Sequence, residues 1–145
     1  MYLFIDTSER DRINLTLFGQ KKNINESFAT PKSQSEKLLF LINQFLSENK
    51  INLKAIKGIA VVNKGGSFSS VRLACAAANS LAFCLKIPIV SVKINKRENV
   101  SNILKNSEKR LKKLSVFNLN KLVLPEYDKA PNITVKKLKN NDKQK

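Results

Sequence analysis

Residues 13–18 alternate in polarity, with Ile13, Leu15 and Leu17 set against Asn14, Thr16 and Phe18. A period of two is that of a half-buried strand. The apolar run "YLFID" at 2–6 is a second strand, and the polar "ERDR" between the two makes them a hairpin. A weaker strand, "INESFA", follows at 24–29. From 31 to 49 the period becomes helical: Leu38, Leu41, Ile42, Phe45 and Leu46 form one broad apolar face, widened by Leu39 and Phe40. Thr30 or Ser33 can cap this helix, and Ser33 with Glu36 fits a capping box. "GIAVV" at 58–62 is a short continuous apolar run, predicting a central strand covered on both faces.

A second helix is predicted over 69–86. Ala74, Ala76, Ala77, Ala78, Ala82, Ser80 and two cysteines make nearly its whole circumference small or apolar. Such a helix is buried on more than one side. Pro88 stops it, and "IPIVSV" at 87–92 is the next strand. The order β-β-β-α-β-α-β predicts an α/β layer structure. Past residue 93 the pattern weakens. A helix at 99–117 places Ile103, Leu104, Leu111 and Leu114 on a loose stripe among lysines, "NKLVLPEY" holds one short strand, and the chain ends in a basic tail.

A chain of 145 residues suits one ordinary core. No run approaches the roughly 20 apolar residues of a membrane span, and no basic segment precedes the first apolar residues as in a signal peptide. The expectation is a cytoplasmic protein. Cys75 and Cys84, nine apart on one helix, point to opposite faces and cannot bridge each other. Histidine is absent, which removes histidine acid–base catalysis, Ser–His triads and nearly all zinc sites. No metal or cofactor is expected.

The formal net charge is +16, of which +10 falls in residues 93–145 and +6 in residues 1–92. Two readings fit: an RNA or other polyanion partner, or a compositional bias toward Lys, Asn and Ile of the kind AT-rich genomes encode.

Two stretches are candidates for chemistry. Asp6 ends a strand beside Thr7 and Ser8, where a carboxylate can hold a metal or orient a water, or simply cap a turn through the backbone. "NKGGSFSSVR" at 63–72 is not a Walker loop, because no lysine follows its glycines. Gly65, Gly66, Ser67 and Ser69 at a helix start, with Arg72 one turn inside, could receive an anion. The other reading is a tight strand-to-helix corner in which Ser67 or Ser69 is the N-cap, Phe68 plugs the core and Arg72 pairs with an acid.

"YLFIDTS" at the start, "SQSEKLL" at 33–39 and "GSFSSVR" at 66–72, followed by an alanine-rich helix and "IPIVSV", together resemble the TsaB (YeaZ) family. The resemblance covers residues 1 to about 95. Gln34 stands where the family has His, Lys64 and Gly65 where its loop has Gly-Pro, and Ser69, Ser70 and Val71 where it has Thr, Gly and Leu. "PEYDKAP" at 125–131 resembles the family's closing segment. The resemblance implies a ribonuclease-H-like lobe of the actin/Hsp70 (ASKHA) type over 1–95, a mixed sheet with helices whose second lobe is largely missing. Residues 96–118 would form a basic helix or linker in its place, and 119–145 a short strand and basic tail.

By the same resemblance the chain is a non-catalytic scaffold. It would bind a TsaD-type catalytic subunit, with a TsaE-type ATPase, for threonylcarbamoylation of the adenosine next to the tRNA anticodon. Asp6 becomes a relic. The two helices would form the interface through Ser35, Leu38, Leu39, Ile42, Val71, Ala74, Cys75 and Ala78, or turn those residues to the sheet. A homodimer through the same helices is expected without the partner. The basic tail could touch tRNA, and a small basic RNA-binding module acting through that tail is the alternative function.

Overall fold

The computed structural model describes residues 1–30, 34–95, 97–114 and 116–127, apart from the side chains of 34–36. Five strands form one sheet: β1 (Tyr2–Asp6), β2 (Arg12–Phe18), β3 (Ile24–Ala29), β4 (Ile59–Lys64) and β5 (Ile89–Lys93), in the spatial order β3-β2-β1-β4-β5. The first three are an antiparallel meander, with Ile5 opposite Leu15 and Leu15 opposite Glu26. β4 and β5 then add in parallel, with Phe4 beside Ala60 and Ala60 beside Val90. Parallel addition needs a crossover, and α1 (Gln34–Glu48) and α2 (Phe68–Leu85) supply the two.

The continuous apolar character of β4 follows from its position. Ile59 and Val61 enter the core beneath α1 and α2, together with Leu3, Ile5, Leu15, Phe45 and Ala78. Ala60 and Val62 point the other way, into a second core with Phe4, Phe18, Val90, Ile103, Leu104 and Leu111. That second core is closed by α3 (Val100–Lys113), whose apolar face lies on β4 and β5. The region expected as a basic helix or linker over 96–118 contains the helix that covers the sheet's second face. It also explains why Phe18, read as the outer side of a half-buried strand, is only 2% exposed, packed beside Tyr2 with ring centroids 5.4 Å apart.

The predicted short strand in "NKLVLPEY" is instead a 3-10 turn at Leu119–Lys121 followed by an extended strap, residues 122–127. Its strand-like contact is a single bridge, Lys64 to Glu126. Pro125 lacks an N–H, so a regular ladder cannot run through it. Side chains of the lobe hold the strap instead. The Ser33–Glu36 capping box lies outside the described residues. Thr30 is buried, its N–H donating to the Asp11 carbonyl at 2.8 Å.

By length and hydropathy α2 could cross a membrane, but Val71, Ala74, Cys75, Ala78 and Ala82 are buried against this chain's own sheet and α1. Cys75 is buried and Cys84 exposed, as their helical spacing requires. Burial pushes the Cys75 thiol up to about 11, so little thiolate is present at neutral pH. A thiol-reactive dye is therefore expected to modify one cysteine in the folded chain and both in denaturant. Rapid loss of both thiols in the folded state would contradict the placement of α2.

Candidate functional site

The C-terminal ends of the two central strands β1 and β4 lie side by side at one end of the sheet. Asp6 is 8% exposed, and its Oδ1 accepts the Ser8 N–H at 2.8 Å. The carboxylate thus closes a turn on its own backbone. Thr7 donates its hydroxyl to the Ser70 carbonyl at 3.3 Å, tying this turn to the first turn of α2. Between them run Gly65 and Gly66, at φ +88° and +89°. A side chain at Gly66 would place its Cβ 2.9 Å from backbone atoms of both Thr7 and Ser8. The second glycine is there for close approach as well as for its backbone angle.

Ser67 is the N-cap: its Oγ accepts the Ser70 N–H at 3.2 Å, and the Ser70 hydroxyl donates to the Ser67 carbonyl at 3.0 Å. Ser69 is exposed. Phe68 does not plug the core. It is 40% exposed and stacks on Tyr127 of the strap, with centroids 4.1 Å apart and planes at 21°. Among the described residues Arg72 has no acid partner, and its guanidinium lies over the Phe68 ring, 5.5 Å from the centroid. Both differences have one cause. The strap offers Phe68 a ring on the surface, and Arg72 then extends along that aromatic pair.

Two asparagines hold the strap, and neither stood out in the sequence. Asn79 donates its Nδ2 to the Val123 carbonyl at 2.8 Å, while its Oδ1 accepts the Val123 N–H at 3.0 Å. Asn63 donates to the Leu124 carbonyl at 2.9 Å, and its own carbonyl accepts the Glu126 N–H at 2.7 Å. Lys93 completes the clasp at 2.9 Å from Glu126, and its hydrogen bond holds the Glu126 carboxyl below the usual carboxylate range. An asparagine can imitate a strand partner with its side-chain amide. The only sequence signal was a polar residue inside an apolar helix or at the end of an apolar strand. Replacing Asn79 with alanine is expected to cost about 1–2 kcal/mol and to raise hydrogen exchange in residues 122–127 selectively. Unchanged exchange there would show that the aromatic stack alone holds the strap.

The residues expected at a helix–helix interface separate into two groups. Leu38, Ile42, Val71, Ala74, Cys75 and Ala78 are each at most 2% exposed and join this chain's own core. They pack there because the apolar faces of α1 and α2 are what covers the sheet and joins the two helices. Leu39 remains outside at 57%, beside Phe40 at 66%, and Ala76 is exposed on α2. The Ser35 side chain lies outside the described residues, as does the tail beyond Tyr127.

A three-stranded antiparallel meander continued by two parallel strands, with paired helices on one face and a third on the other, defines a ribonuclease-H-like lobe of the actin type. The family model for TsaD, tRNA N6-adenosine threonylcarbamoyltransferase, matches residues 29–96. The tRNA threonylcarbamoyladenosine biosynthesis protein TsaB of Haemophilus influenzae is 29% identical over 91 residues, covering 62% of this chain and 38% of the relative. TsaB of Buchnera aphidicola subsp. Schizaphis graminum is 32% identical over 90 residues, 62% of this chain and 42% of the relative. YeaZ from Pseudomonas aeruginosa superposes with a TM-score of 0.58 at 27% identity, covering 63% of this chain and 44% of that one. Over this lobe the chain is similar to the TsaB/YeaZ proteins. It spans about two fifths of the length of these relatives.

Proposed function

We propose that this chain is an accessory subunit in the synthesis of threonylcarbamoyladenosine on tRNA, docking a TsaD-type catalytic subunit through the outer faces of α1 and α2. Its relatives are named for that biosynthesis, and the matching family model is that of the transferase. The observation that carries the reading is the pair Leu39 and Phe40, consecutive residues more than half exposed on a helix whose other apolar side is already buried. Large apolar residues standing out together on one helix mark a docking face. The chain itself is non-catalytic in this reading. Asp6 serves a turn, and the corner from Gly65 to Arg72 sets where α2 begins and so where its outer face points. A TsaE-type ATPase would join the same assembly in the cytoplasm, and a homodimer through α1 and α2 would form when the partner is missing.

Co-expression with the cognate TsaD-type subunit, followed by gel filtration, tests this reading. One joint peak at micromolar concentration is expected, with the modification reconstituted on tRNA. Two separate peaks would count decisively against it.

A further inference from the structure

We propose that the groove between β5, the C-terminal half of α3 and the strap binds an unpaired phosphodiester strand, with Arg110, Lys113 and Lys121 facing its phosphates. The groove has a volume of about 780 Å³. Its floor includes Val90 and Val123, and its walls carry those three basic side chains together with Glu126. Glu126 is engaged by Lys93 at 2.9 Å, so the three remaining cations set the local field. Among the described residues neither Lys113 nor Lys121 has an ion pair, and both are exposed. Arg110 is anchored by one N–H to the Ser91 carbonyl at 2.6 Å, which points its guanidinium along β5 while leaving other donors available.

Clefts of about 300–1,000 Å³ take ligands the size of one or two nucleotides, and a duplex is far too wide to enter one. A groove with an apolar floor and basic walls suits a single strand, whose bases can leave water while its phosphates meet cations. At the inner end Asn63 is 3% exposed and has an Oδ1 without a partner among the described residues. The lining holds no aromatic ring, so binding should be chiefly electrostatic, with steep salt dependence and weak base preference. This goes beyond the subunit reading and stands whether or not a TsaD-type partner docks, because the groove is built from β5, α3 and the strap. It also differs from binding through the tail beyond Tyr127.

The test is fluorescence anisotropy of a labelled short oligouridylate with the full chain across a salt series. Matched arms use an oligothymidylate, a duplex of equal length and polyglutamate as competitor. The double variant Lys113→Glu/Lys121→Glu is compared with Lys21→Glu/Lys22→Glu, which makes the same charge change in the β2–β3 turn, at the opposite edge of the sheet. The groove variant is expected to bind at least about tenfold more weakly, with a salt slope lower by about 1.4; the control should change less than about threefold. Binding of the RNA strand, the DNA strand or both in this pattern supports the shared phosphodiester chemistry and names its source. Equal losses in the two variants would overturn the proposal in favour of general charge attraction. So would an unaffected groove variant, a duplex bound as tightly as the single strand, or equal displacement by polyglutamate. All four lysines are exposed, and matching thermal melts confirm folding.

Discussion

Replacing Gly66 with alanine is expected to destabilise the chain by about 2–4 kcal/mol, combining a strained backbone with a steric clash. The φ of +89° is one that residues with a Cβ adopt at a cost, and that Cβ would stand 2.9 Å from the backbone of Thr7 and Ser8. Neither obstacle is the end of a flexible side chain, so the β1 turn or the start of α2 must move. Gly65 separates the two contributions. Its φ is +88°, but a Cβ there meets only the Ser8 Cβ at 3.7 Å, an ordinary contact. Gly65→Ala should therefore cost about 1–2 kcal/mol, from backbone strain alone. Urea unfolding of both variants checks this. Equal losses would mean that the Gly66 backbone does not lie against Thr7 and Ser8, and the corner would lose its role in orienting α2.

The second large effect concerns binding, with stability as the control. Leu39→Asp/Phe40→Asp is expected to leave the melting temperature nearly unchanged, since both side chains already face water. Affinity for a TsaD-type subunit should fall at least about 100-fold, because two apolar anchors at the centre of an interface typically contribute that much together. Leu38→Ala is the complementary variant. Leu38 is 1% exposed, and its truncation should cost about 2–5 kcal/mol of stability while leaving docking by the folded fraction intact. Co-elution that survives the double substitution would remove α1 from the interface. Docking lost with Leu38→Ala at unchanged stability would mean that α1 rotates on binding.

Most of the architecture was legible in the residue pattern. The alternation in 13–18, the unbroken "GIAVV", the helical spacing of Leu38 to Leu46 and the alanine-rich run each have one economical way to bury their apolar atoms. The spatial order of the strands, with β4 beside β1, came from the tertiary structure. The second sheet face was the weaker part. α3 has only three buried apolar residues, Ile103, Leu104 and Leu111, among many charges, so its periodicity is faint. Its position is set by Phe4, Phe18, Ala60, Val62 and Val90, the second face of the sheet that it covers.

The candidate site was less legible. Local chemistry placed the Gly65–Gly66 corner and offered Ser67 or Ser69 as its cap, because glycine conformation and capping depend on a few neighbouring residues; the structure uses Ser67. Which face of α1 and α2 meets the sheet is a different kind of question. Both helices are apolar around much of their circumference, so periodicity cannot choose between the core and the partner; contact with the sheet and with each other buried Leu38 and Ala78 and left Leu39 and Phe40 outside. The strap is the clearest case. Asn63 with Leu124, Asn79 with Val123 and Phe68 with Tyr127 are each more than forty residues apart. No local pattern encodes such pairs. By itself the sequence determined the lobe, its order of elements and the family motifs, because local periodicity and turn chemistry suffice for those. Only the tertiary structure decided what remains on the surface, because that depends on which of several apolar faces the rest of the chain covers first.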